Sequence, residues 1–314
     1  MTRPLHPLKA LMALVAGGAL LVGCSAPGAA SAATPATSQS EASADIVRPQ
    51  RIVAITSETA DMALLLAGPQ SMAAIAVGSQ SPTMGMVPDL ARQVETTLPA
   101  GVTPDPEQIL SYQPDLVLTT SRHGGEKTAN EQLAAAGVPM ITFESADFNT
   151  PEAYESALRT VGDAVGQPEK AEKYASELHD AIAEIDSQRS DKHPSVLALM
   201  ARGGNVMAMS SDNMLPGLAL RAGASDAAQT AGITATGTID AELLIRANPD
   251  IILLEDFQGS GQAPFAELLA NTAVQDVPAI ANQNVHLIAM TEASSLAGIN
   301  LPVGYRKIAE LIAQ

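Results

Sequence analysis

The residues best equipped for chemistry stand in the stretch LVLTTSRHGGEKT, residues 116–128, where an apolar run opens into Arg122, His123 and two glycines. An imidazole just past a buried strand can hold a metal centre or hydrogen-bond a chelate; the competing reading is a solvated turn histidine. Arg122 and Arg202 both follow apolar runs, and a planar guanidinium forks onto carboxylates. Each would serve equally as a surface arginine paired with Glu126 or Asp212. Met84 and Met86 in PTMGM, with Met207, Met209 and Met214 in NVMAMSSDNM, offer either a soft, adaptable wall against a bulky ligand or core filler. Phe148 and Phe257 are the aromatics expected beside them, since the chain has no tryptophan and its four tyrosines fall in predicted helices.

Other chemistries fit less well. A bare metal ion needs several histidines with carboxylates. Of the five histidines, His6 lies in the leading segment, His179 and His193 in or at the end of a helical stretch, and His286 inside a strand, which leaves His123. Ser121 beside His123 has no paired acid, so covalent catalysis is not indicated. A third class, a surface protein that meets another protein through an acidic face, is permitted by charge and specified by nothing.

The elements that must position these residues are revealed by a repeat. DPEQILSYQPDLVLTT from Asp105 aligns without a gap on DAELLIRANPDIILLE from Asp240. In each copy an Asp caps a short helix, a Pro ends it, and a branched apolar run forms a buried strand, which is a helix-to-strand unit of a parallel sheet. Further strands are expected at 51–56, 72–78 and 138–143 in the first half, and at 195–201 and 284–290 in the second. Between the halves, residues 151–193 read as helix, with Tyr174, Leu178, Ala181 and Ile185 on one face and Pro168 in the first turn of a second segment. The fold expected is α/β: two Rossmann-like lobes with parallel sheets, at 49–150 and 194–314, joined by a long helical backbone at 151–193. Ligands of such sheets bind beyond the carboxyl ends of the strands, here in a cleft between the lobes.

The leading residues 1–23 carry Arg3 and Lys9 before an apolar run too short and glycine-rich to span a membrane, the pattern of a secretory signal. The run closes on Leu21-Val22-Gly23-Cys24, which resembles the bacterial lipobox and implies lipidation of Cys24, the chain's one cysteine. Residues 24–48, rich in Ala, Ser, Thr and Pro, read as a flexible tether. Removing residues 1–23 leaves 15 basic residues against 34 acidic ones, a net charge of −19, which argues against nucleic acid as a partner.

Together these features resemble the helical-backbone class of substrate-binding lipoproteins of ABC importers, which carry iron-siderophores, haem or cobalamin. RIVAITSETADMALLLAGPQSMAAIAVG is similar to the family's opening strand, acidic helix and second strand, the two repeat segments to its most recognisable motifs, and VQDVPAIANQNVHLI to its closing turn and strand. The resemblance implies a lipid-anchored monomer on the extracytoplasmic face. It would do no covalent chemistry, hold no resident cofactor, and deliver an iron complex to a permease and its ATPase. It makes His123 an axial ligand to haem iron if haem is the cargo. It implies docking to the permease through an acid on each lobe: Glu58 and Asp61 on the first, Asp212 on the second. The helix dipole alone would also favour such acids, and the second lobe lacks the expected glutamate. The absence of tryptophan lowers cobalamin and leaves a ferric siderophore or haem, with Arg122, Arg202, Met84, Met86, Met207 and Phe257 as further ligand contacts.

Overall fold

The computed structural model describes residues 48–99 and 103–314; the signal, Cys24 and nearly all of the tether lie outside them. The first sheet contains β1 (Ile52–Ala54), β2 (Met72–Ala76), β3 (Thr97–Leu98), β4 (Leu116–Thr120) and β5 (Met140–Phe143) in the order β3-β2-β1-β4-β5. Every pair in it is parallel. Its central strands β1 and β4 are buried at every position, as strands of a parallel sheet covered on both faces are. Helices α1 (Ser57–Ala67), α2 (Pro106–Ser111) and α3 (Gly124–Ala135) connect them.

The second sheet contains β6 (Ser195–Arg202), β7 (Asn205–Ala208), β8 (Ser225–Asp226), β9 (Gly237–Thr238), β10 (Ile251–Asp256) and β11 (Val285–Ala289). Its centre is parallel, β11-β10-β6, and β8 joins the start of β6 in parallel. A feature absent from the sequence reading is the antiparallel hairpin β6–β7, which β9 extends. Gly203 and Gly204 form its turn with φ of 59° and 80°, the left-handed pair that a two-residue hairpin requires. The turn places Arg202 at the tip of β6.

The repeated segments have the same structural task twice. Asp105 caps α2 by accepting from the amides of Glu107 and Gln108, and Asp240 caps α7 (Ala241–Ala247) by accepting from Leu243. Asp115, before β4, accepts from the amides of Gln50 and Arg51 at 2.7 and 2.9 Å. Asp250, before β10, accepts from the Ser195 amide and hydroxyl, both at 2.8 Å. Each Pro-Asp pair therefore ties the start of its strand to the start of the central strand beside it.

The bridge consists of α4 (Pro151–Ala164) and α5 (Pro168–Asp186), packed on one another, with α4 against α1 and α5 against α8 (Leu301–Ala313). Nineteen residues make α5 about 28 Å long. Its buried stripe is Ala171, Ala175, Leu178, Ile182 and Ile185, one position round from the expected face at Tyr174 and Ala181. Arg221, at the end of α6 (Met214–Arg221), forks onto Asp186 at the end of α5, with Nε–Oδ1 of 3.0 Å and Nη2–Oδ2 of 2.7 Å. One apolar core runs from Ile52 through Leu178 to Tyr305, joining both lobes to the bridge, and a smaller core lies on the far face of each sheet. No described helix is long and apolar enough to cross a membrane.

Candidate functional site

The carboxyl ends of the two sheets border a cleft of about 770 Å³. From the first lobe it is lined by Glu58, Met84, Arg122, His123 and Phe148, and from the second by Met200, Arg202, Asp212, Glu255, Phe257 and Ser295. The segments that carry them follow β1, β2, β4 and β5 on one side and β6, β10 and β11 on the other, where open parallel sheets leave a crevice.

His123 is the N-cap of α3, is exposed, and donates its backbone N–H to Glu126 Oε2 at 3.1 Å. Its ring forms the other half of a capping box, facing the Glu126 backbone N–H at the start of α3. Arg122 is committed to neighbours: its amide donates to the same Glu126 oxygen at 2.6 Å and Nη1 donates to Glu58 Oε1 at 2.9 Å. Its Nε is buried without a partner among the described residues. The arginine is therefore a scaffold of the cleft wall, and the partner that matters most is Glu58 rather than Glu126 alone.

Arg202 differs. Among the described residues it forms no ion pair, with Asp212 or any other acid; its guanidinium lies over the Phe257 ring, 5.5 Å from the centroid. Stacking orients the planar head and leaves its edge donors for a ligand anion. Behind it Glu255 is only 4% exposed and lines the cleft; burial pushes its carboxyl up to about 7, with Arg202 pulling the other way.

Three sequence expectations are corrected by burial. Glu58, 6% exposed, faces inward, where Oε1 also accepts from Ser295 Oγ of the second lobe at 3.0 Å. Asp61, 2% exposed, accepts from the Met86 amide at 2.7 Å, and burial raises its carboxyl to about 7. Neither stands on the outer rim where a permease would meet it, because α1 packs into the core along nearly its whole length. Met86 is also not in the cleft wall: its sulfur accepts from the Ile299 amide at 3.3 Å and the Tyr154 hydroxyl at 3.5 Å, at the junction of the lobes. Met207 sits on β7, half-buried, and is not part of the lining. Met84, Met209, Met214 and Phe257 do line it. Asp212 is exposed at the cleft edge, accepting from the Ser210 hydroxyl.

Sequence reasoning missed Met200 and Met290, and it placed the strand-end stretches 255–261 and 291–298 at the cleft without singling out Glu255 and Ser295. For Glu255 the signal was a charged residue closing the apolar run IILLE; for Met200 it was a place two residues before Arg202 and so on the same strand face.

Residues 52–290 match the sequence model of the periplasmic binding protein family. The chain belongs to that family. Periplasmic binding proteins capture solutes and are not enzymes, as the resemblance implied. The solved structures similar to this periplasmic binding protein agree on the fold. The periplasmic heme-binding protein RhuT from Roseiflexus sp. RS-1 is 20% identical with a TM-score of 0.71, over 84% of this chain and 98% of that one. The periplasmic heme-binding protein BhuT, solved with two hemes, is 23% identical with a TM-score of 0.67, over 84% and 97%. HutB of Vibrio cholerae, a periplasmic heme-binding protein, is 20% identical with a TM-score of 0.67, over 84% and 99%.

Proposed function

We propose that this periplasmic binding protein captures an iron complex, haem before a ferric siderophore, and delivers it to an ABC permease and its ATPase while anchored through lipid on Cys24. The observation that carries the reading is the exposed His123 ring, which caps α3 through one edge, in a methionine-lined cleft that also offers the stacked Arg202. An imidazole supplies an axial ligand to haem iron, Arg202 receives a propionate, and the half-buried thioethers of Met84 and Met200 face the flat macrocycle. The heme-binding character of three structurally similar proteins supports the same cargo. A volume of about 770 Å³ suits a ligand larger than a single ion.

Of the three acids assigned to permease docking, Asp212 keeps the role as an exposed residue, and Glu58 and Asp61 are withdrawn from it. The protein acts as a monomer. Titration of the purified protein with haemin and, separately, with ferric siderophores tests the cargo by absorption. A Soret shift that His123→Ala abolishes is the expected result. A siderophore bound without any haemin response would select the second cargo, and no response to either would remove the reading.

A further inference from the structure

The first lobe offers haem iron one nitrogen, and the opposite wall holds the candidates for the other axial position. Among the described residues no tyrosine lines the cleft. The groups of the second lobe able to reach a metal are Met200, Met209, Met214, Met290, Glu255 and Asp212. Met209, Met214 and Met290 are buried, the first two inside the main core. Glu255 is deeper than the surface it contributes to, and Asp212 sits at the exposed edge. Met200 alone among these methionines is half-buried, its base packed against the core while it lines the cleft.

Its place on the sheet is well defined. The parallel register of β10 on β6 pairs Leu254 with Leu199, so the next residues, Glu255 and Met200, stand side by side on one face. Arg202 follows two residues later on that face, about 6.6 Å along the strand, and stacks on Phe257. Met200 therefore lines the cleft on the same strand face as Arg202, one pleat closer to the core than the guanidinium that would meet a carboxylate edge.

We propose that Met200 ligates haem iron from the second lobe, opposite His123 of the first, so that the iron bridges the lobes through a nitrogen and a sulfur. The inference rests on haem as the cargo. A thioether is a weak, uncharged ligand that shifts iron toward the reduced form when paired with histidine, and its weakness suits a carrier that must release what it holds.

The test uses haemin with the purified wild-type protein and the variants Met200→Leu, Met200→His and Met207→Leu, read by absorption and electron paramagnetic resonance. The wild type should give a low-spin ferric spectrum with a sulfur-to-iron charge-transfer band. Met200→Leu, which conserves volume, should lose that band and turn high-spin while still binding haemin. Met200→His should turn to the low-spin signature of two imidazoles, a gain that a misfolded protein would not show. Haemin binding with a spectrum unchanged in both Met200 variants, or a band lost only in Met207→Leu, overturns the assignment and leaves haem as cargo intact. Absence of any wild-type haemin binding overturns the cargo reading, and the assignment falls with it.

Discussion

Glu58 and Arg122, 64 residues apart, form an ion pair of 2.9 Å in the wall of the cleft, and the same Glu58 oxygen accepts from Ser295 Oγ across the lobes. The first lobe's charge pair is thus also a contact with the second lobe. Removing the acid would leave a guanidinium with an already unpartnered Nε and no main counterion. Glu58→Ala should lower stability by about 2 kcal/mol, measured by urea denaturation, in line with a largely desolvated charged hydrogen bond. Stability unchanged within about 0.5 kcal/mol would show that the pair contributes only geometry.

Asp61 makes stability depend on pH in a defined direction. Burial raises its carboxyl from an ordinary 3.8 to about 7, so over that window the native state holds a proton that the unfolded chain has released. Stability from this group therefore falls as pH rises from about 4 to about 7. Asp61→Asn removes the penalty. Relative to wild type it should gain on the order of 3 kcal/mol between about pH 4.5 and pH 8, seen in parallel denaturation curves. A constant difference across that range would contradict the raised value.

Arg202 is exposed and stacked, so its loss should affect ligand and not fold. Arg202→Ala should weaken haemin binding by about tenfold or more and leave the melting temperature within about 1 °C of wild type. Arg202→Lys should recover only part of the affinity, because an ammonium neither forks nor stacks as a guanidinium does. Equal affinity in all three proteins would remove Arg202 from the site.

Asp115 and Asp250 hold matching positions in the two halves, each accepting two hydrogen bonds at the start of a central strand. Replacing either by Ala should cost about 1–3 kcal/mol. The double variant should show the sum, since the two act in different sheets. A cost confined to one of them would mean that the repeat is one of sequence and not of structural role.

Much of the architecture was legible because its signals are local. The caps at Asp105 and Asp240, the turn before each Pro-Asp and the apolar strands that follow depend on residues within one short stretch, and all stand where the sequence places them. The hairpin after β6 had its signal in Gly203-Gly204 between two apolar runs. The α5 stripe was misplaced by one position because alanines, which carry little hydrophobic signal, occupy two of its five buried positions.

By itself, then, the sequence determined two α/β halves of common design, the helical bridge, and strand ends beyond which His123 and Arg202 would lie, since capping, strand burial and turn chemistry act over a few residues. The tertiary structure decided which side chains share the cleft. Arg122 is bound to Glu58, Glu58 to Ser295, Met86 to Tyr154 and Ile299, and Met200 stands beside Glu255. These neighbours are separated by 55 to 237 residues, or meet only through sheet register. Their burial follows from how the lobes close on each other, and no local periodicity encodes that.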